Sequence, residues 1–141
     1  DRTVWVEAES RRIGRITVPD ALLLRLRDSP VVEIVATPEA RLAYLLRDYA
    51  WLGDDPRGLA DKLGGLKGLL PNETLAQWQA WATAGDLPPL FAAMMAEHYD
   101  PLYARSQGRH LQRLGHARRV ETDRLTPDGI AALARQIASL T

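Results

Sequence analysis

None of the 141 residues is cysteine. A disulfide framework, a thiolate-ligated zinc and a thiolate nucleophile are therefore excluded within this stretch. There is no G-x-x-x-x-G-K-[ST] run either, so the backbone loop that cradles nucleotide phosphates in many α/β proteins is missing. Gly64-Gly65-Leu66-Lys67-Gly68 is glycine-rich, but its spacing is wrong for that loop and no buried strand precedes it. No apolar run approaches the length of about 20 residues that spans a bilayer, and no signal peptide opens the chain, so no membrane role is expected. The first residue is Asp1 rather than Met, and the expectation is a processed or truncated protein with parts elsewhere.

Histidine is scarce. His98, His110 and His116 include no pair at the i, i+4 spacing of a helical zinc site, so no transition-metal site is expected. Ser10 has no histidine at a familiar catalytic spacing, which argues against a serine hydrolase. Lysine occurs only at Lys62 and Lys67, against 16 arginines. The formal net charge is zero, whereas dedicated nucleic-acid modules are usually basic. The distribution is uneven, however. Leu102 to Val120 holds five arginines and no acid, and many carboxylates fall in 48–61 and 86–100.

What remains is an ordinary globular composition, 46% apolar and 26% charged, long enough for one domain with a core. Thr3-Val4-Trp5-Val6 reads as a short buried strand. Pro19-Asp20 opens a helix carrying Leu22, Leu23 and Leu26, closed before Pro30. Val31–Ala36 is a nearly continuous apolar strand of the kind covered on both faces. Thr37-Pro38-Glu39 is a helix start, and Leu42, Leu45, Leu46 and Tyr49 follow at helical spacing. Strand, helix, strand, helix predicts parallel pairing with a crossover. Residues 54–114 read as a helical insertion with breaks at Gly64-Gly65, Pro71 and Pro88-Pro89, and Leu102–Leu114 is expected to be its last helix. Arg118–Thr122 is a candidate third strand, and Thr126-Pro127-Asp128 starts a final helix. The fold class is α/β: one domain over 1–141, a partial parallel sheet with flanking helices.

Four groups bear on chemistry. Glu7, Glu9, Ser10, Arg11 and Arg12 follow the first expected strand, where open α/β sheets bind ligands. A carboxylate there can hold Mg²⁺ or water, and neighbouring arginines can grip phosphate bidentately. A salt-bridged surface turn is the competing reading. Arg105, Arg109 and Arg113 fall at i, i+4, i+8, one face of a helix, which His116, Arg118 and Arg119 would extend. Such a stripe suits a phosphate backbone, or is a solvated face. Lys62 and Lys67 flank Gly64-Gly65, where Gly64 reads as a helix C-cap. Leu90, Phe91, Met94 and Met95 suit an apolar ligand but fit core better.

The run Val6-Glu7-Ala8-Glu9-Ser10-Arg11-Arg12-Ile13-Gly14, followed by Val18-Pro19-Asp20-Ala21-Leu22, resembles the tRNA 2-selenouridine synthase family. The resemblance continues through Val31–Ala36, Arg41-Leu42 to Asp48-Tyr49, Leu63-Gly64-Gly65, and Tyr99-Asp100-Pro101-Leu102-Tyr103-Ala104-Arg105-Ser106. It covers roughly residues 3 to 107, and the Glu-Ser-Arg and Tyr-Asp-Pro segments are its specific parts. It implies a cytoplasmic transferase in which a rhodanese-like domain with a catalytic cysteine precedes a P-loop domain. Such an enzyme exchanges the sulfur of wobble 2-thiouridine for selenium from selenophosphate, through an intermediate made with geranyl diphosphate. By that resemblance the chain is the later part of the P-loop-type domain, inactive alone. Its partners would be the upstream rhodanese and P-loop segments and the anticodon region of tRNA. Glu7, Glu9 and Ser10 would be catalytic, with Mg²⁺ a candidate cofactor at the carboxylates. Arg11, Arg12, Arg105, Arg109 and Arg113 would bind diphosphate or tRNA, supported by Asp100 and Tyr103. A kinase-like phosphotransferase and a non-catalytic helical interaction module are the alternatives.

Overall fold

The computed structural model describes residues 3–8, 12–111 and 113–140, with the side chains of Ile13, Arg109 and His110 left outside that description. Residues 3–8 form no strand, and Val4, Trp5 and Val6 are exposed. The strand expected at Thr3–Val6 is thus corrected. β-propensity is realised only on a pleated surface with neighbours, and no described strand pairs with this run. Next comes a minimal antiparallel hairpin, β1 (Arg12–Ile13) and β2 (Ile16–Thr17). Gly14 turns it at φ +61°, the left-handed conformation that glycine adopts without strain at the first turn position. Helix α1 (Asp20–Arg27) has its acid in the first turn and Arg25 and Arg27 in the last, which complements the helix dipole. It buries no residue fully.

Strand β3 (Val32–Ala36) does pair in parallel, but with β4 (Arg118–Thr122), in the register Val32↔Arg118 to Ala36↔Thr122. Among the described residues between them the chain is mostly helical and forms no further strand beyond an isolated bridge, Lys67↔Leu70. Helix α2 (Pro38–Asp48) is capped by Thr37, whose Oγ1 accepts from the Ala40 amide at 3.2 Å. Helix α3 (Pro56–Leu63) is capped by Asp55, which accepts from the Gly58 amide at 2.9 Å. A Cβ at Gly58 would fall 2.0 Å from Asp55 Oδ2, so the cap requires glycine there. Gly64 stands at the C-cap of α3 as expected, but at φ −55° it keeps right-handed conformation and passes into a 3-10 turn, so the left-handed role of a cap glycine is not played there. That role falls to Gly85 at φ +72°, which ends α4 (Asn72–Ala84).

Helix α5 (Leu87–Met94), a π turn (Met95–Tyr99) and α6 (Asp100–His110) run on without leaving right-handed helical backbone. Pro101 accounts for the wide turn. It has no amide for the Glu97 carbonyl and its ring crowds that oxygen, so the helix widens to pass it. Helix α6 stops at His110 and Leu111 is extended, so the helix expected to reach Leu114 is shorter. The last helix, α7 (Pro127–Ala138), is capped by Thr126 and packs on β4, where Val120 and Leu133 are buried.

The main core sits in the helices. Leu59, Leu63, Leu75, Trp78, Leu90 and Phe91 pack together from α3, α4 and α5, with Leu42, Leu45 and Leu46 of α2 laid against them. The β3–β4 pair is incompletely covered. Ile34 is 51% exposed and Val35 37% exposed, and successive strand residues face opposite sides, so neither face is sealed. Parallel sheets are ordinarily covered on both faces, which is what the apolar run Val31–Ala36 led one to expect. Trp78 is 1% exposed, and Trp78→Ala should cost about 3–5 kcal/mol. Trp51, on the surface, should tolerate the same change for less than about 1 kcal/mol. Urea unfolding of the two variants measures the contrast, and equal losses would place the stabilising core elsewhere.

Candidate functional site

The carboxyl ends of β3 and β4 meet where the Thr37 amide donates to the Thr122 carbonyl at 3.1 Å. Helix α2 starts from that point, and its first turns carry Arg41. The Arg41 guanidinium holds Asp100 with both arms, Nη1 to Oδ2 at 2.9 Å and Nη2 to Oδ1 at 2.5 Å. A bidentate pair fixes direction as well as distance. It clamps the start of α6 to the start of α2, across 59 residues of sequence. One turn from the end of α6, Gln107 Nε2 donates to the Ala8 carbonyl at 2.9 Å and so brings the segment carrying Glu7 to the same helix.

Helix α6 therefore gathers part of the expected site. Asp100, Tyr103, Arg105 and the backbone of Arg109 lie on it, and Glu7 stands next to the residue that Gln107 holds. Arg12 lies on β1, with its Nε donating to the Gly14 carbonyl at 3.0 Å. Glu9, Ser10 and Arg11 lie outside the described residues, as does the side chain of Arg109. The expected three-arginine face does not form. Arg113 is beyond the end of α6, and its Nη1 donates to the Asp28 carbonyl at 3.3 Å. Of the residues expected to extend that face, Arg118 and Arg119 are exposed but engaged within the chain. Arg119 pairs with its cross-strand neighbour Glu33 at 2.7 Å, and Arg118 donates to the Leu140 carbonyl at 3.3 Å. Arg105 is exposed, and no carboxylate among the described residues lies within ion-pair reach of it.

Asp100 was expected to support the site. Its hydrogen bonds to Arg41 hold its carboxyl below the usual aspartate range, against the opposing effect of partial burial, and Arg41 is held correspondingly high. Both oxygens are occupied by one guanidinium, so Asp100 positions α6 and has no proton to exchange near neutrality. Arg41 is the residue that sequence reasoning missed as a site member. The available signal was an arginine in the first turns of a helix that follows a parallel strand. A groove of about 170 Å³ also lies at the carboxyl end of β4, bordered by Thr122, Asp123, Arg124 and Gly129, and none of the expected site residues lines it. The Met94-Met95-Phe91-Leu90 group is core, with Leu90, Phe91 and Met95 buried.

Replacing Asp100 with Asn should cost about 1 kcal/mol or less at neutral pH, because both partners are partly exposed. The folded carboxyl is depressed, so the wild-type advantage is complete above the unfolded aspartate value of about 3.9. It fades as pH falls through the depressed folded value. Urea unfolding of both proteins across the acid range tests this. A gap that stays constant into strong acid would mean that Asp100 acts by shape and not by charge.

Residues 1–55 match the family model described as the tRNA 2-selenouridine synthase AAA domain. A tRNA 2-selenouridine synthase of Cupriavidus necator is 30% identical over an alignment of 130 residues, a match that covers 73% of this chain and 35% of that protein. The chain thus spans about a third of the length of that curated relative. No solved structure matches it significantly. The two matches agree with the resemblance drawn from the sequence, and both make the chain similar to a part of the tRNA 2-selenouridine synthase family.

Proposed function

We propose that this chain is one part of a longer tRNA-modifying transferase that converts wobble 2-thiouridine to 2-selenouridine through a geranylated intermediate. Its share of the work is diphosphate and tRNA binding. The observation that carries this reading is the Arg41–Asp100 clamp, which sets α6 beside the carboxyl ends of a parallel strand pair in a chain similar to a part of this family. Ligands of open α/β sheets sit at that end.

In this reading Arg12 and Arg105, with Arg11 and Arg109, meet the phosphates of geranyl diphosphate or of tRNA, and Glu7, Glu9 and Ser10 border the reacting group. Selenophosphate and geranyl diphosphate are co-substrates whose main grip lies in other segments of the longer protein. The absence of cysteine fits that division, since a rhodanese-type nucleophile must come from outside these residues. Among the described residues no three carboxylates or histidines converge on a metal position. A Mg²⁺ ion carried by the diphosphate would therefore draw on Glu7 here and on ligands from elsewhere. The incompletely covered β3–β4 pair supports the same view, because further strands of the upstream P-loop segment would complete the sheet. No helix among the described residues is long and apolar enough to cross a membrane, and cytoplasmic action on tRNA is the location proposed.

A second reading has one observation in its favour. The helices hold a core of their own, as an interaction module would. Replacing the strand-end and α6 residues would then leave activity intact.

The experiment is incubation of the full-length protein with a tRNA bearing 2-thiouridine, selenophosphate and geranyl diphosphate, with mass analysis of the wobble nucleoside. Appearance of 2-selenouridine is expected, and an unchanged nucleoside would remove the proposal. In the same protein Arg105→Ala should lower the slope of log affinity for tRNA against log salt by about 0.7–0.9 at unchanged melting temperature. An unaltered slope would take Arg105 out of the phosphate-binding surface.

A further inference from the structure

The outward side of the π turn and the first turn of α6 presents two aromatic rings. Tyr99 and Tyr103 stand one turn apart, 57% and 60% exposed, with Leu102 beside them, also exposed. Helical spacing puts 99, 102 and 103 on one patch.

The Tyr99 ring is braced from behind. It meets the His98 ring edge-on at 5.4 Å, and His98 meets Trp78 edge-on at 6.5 Å, with Trp78 fixed in the core. The π turn is what puts Tyr99 outside. In an unbroken α-helix residue 99 would follow Met95 along the buried line. Here the Asp100 amide bonds to the Met95 carbonyl, so Asp100 takes that line, facing Arg41, and Tyr99 moves to the open side. Single wide turns of this kind concentrate at functional places in helices.

Along α6 itself, the charge left over once Asp100 is paired is basic, while Glu97 stands exposed in the preceding π turn. The only acid of α6 is Asp100, which Arg41 neutralises. Arg105 on the same helix is exposed, and no carboxylate occurs from Pro101 to Val120.

We propose that Tyr99 and Tyr103 form a stacking platform for unpaired nucleobases, with the adjoining phosphates attracted to Arg105. This rests on the reading of the chain as part of a tRNA-modifying enzyme and narrows it: α6 receives the looped, single-stranded part of an RNA and not its duplex. A tyrosine ring is rigid and has few rotamers to lose. Every base has a flat face to lay on it, whereas a duplex hides those faces within its own stack. An apolar protein segment would fit the rings but gains nothing from Arg105, while a phosphate-bearing partner uses both.

The test uses the full-length protein with two RNA probes of equal phosphate number, a hairpin with an unpaired loop and a blunt duplex. Wild type should prefer the hairpin. Tyr99→Ala and Tyr103→Ala should each weaken hairpin binding on the order of 5- to 100-fold, with duplex binding and the salt slope unchanged. Tyr99→Phe and Tyr103→Phe should restore hairpin affinity, since the flat ring is kept. Alanine variants that bind the hairpin like wild type would overturn the platform while leaving the phosphate contacts of Arg105 intact. Alanine variants that melt at lower temperature without a selective loss of hairpin binding would overturn it as well, and would assign the patch to packing against another protein segment. Wild type that binds neither RNA would remove the tRNA reading itself.

Discussion

The burial of Trp78 is the interaction on which the rest of the molecule depends. Around it α3, α4 and α5 close a core, and α2 lays Leu42, Leu45 and Leu46 on the outside of that core. Position then passes outward through polar contacts. Gln79 of α4 holds the Ala60 carbonyl of α3 at 3.0 Å, and Arg41 of α2 holds Asp100 of α6. The parallel strands have no comparable anchor, so they are placed by their neighbours: Thr37 leads directly from β3 into α2, and Arg47 reaches the Leu125 carbonyl after β4 at 3.1 Å. Order in this chain flows from helices to sheet, the reverse of what an α/β sequence pattern suggests.

That reversal explains which parts of the fold were legible. The starts of α2 and α7 could be read because Thr37-Pro38 and Thr126-Pro127 combine a side-chain cap with a proline that fits the first helical turn, and both caps form. Strands β3 and β4 were legible from their β-branched runs. The Thr3–Val6 run has the same local character and no strand beside it, because pairing is a tertiary fact that composition does not carry. Gly64 does cap α3, but not in the left-handed conformation that marks a cap glycine. A 3-10 turn continued the right-handed path there, so its left-handed freedom was not used.

The site was legible in its residue types and less so in its geometry. Asp100, Tyr103 and Arg105 were recognised through the Tyr-Asp-Pro segment and do share α6. The arginine stripe was extrapolated from helical spacing beyond the point where the helix stops. Once Leu111 turns extended, the i+8 position no longer lies on the face of Arg105. Arg41 and Tyr99 lie in segments that carry the resemblance but were not read as site residues, because their contacts are with partners far away in sequence: Asp100 for one, the brace from Trp78 through His98 for the other.

The short β3–β4 pair has a consequence for the behaviour of these residues as an isolated polypeptide. A two-stranded sheet offers an unpaired backbone edge on each side, a ready template for another copy in extended form. What opposes such growth is the charge written into the strands, Glu33 on one and Arg118, Arg119 and Glu121 on the other, interrupting the apolar positions Ile34, Val35 and Val120. The same charges that keep the edges from adhering to one another allow a specific strand with complementary side chains to be told apart from an accidental one. Colloidal behaviour in dilute salt and fidelity of sheet completion are thus set by one short set of ionic side chains.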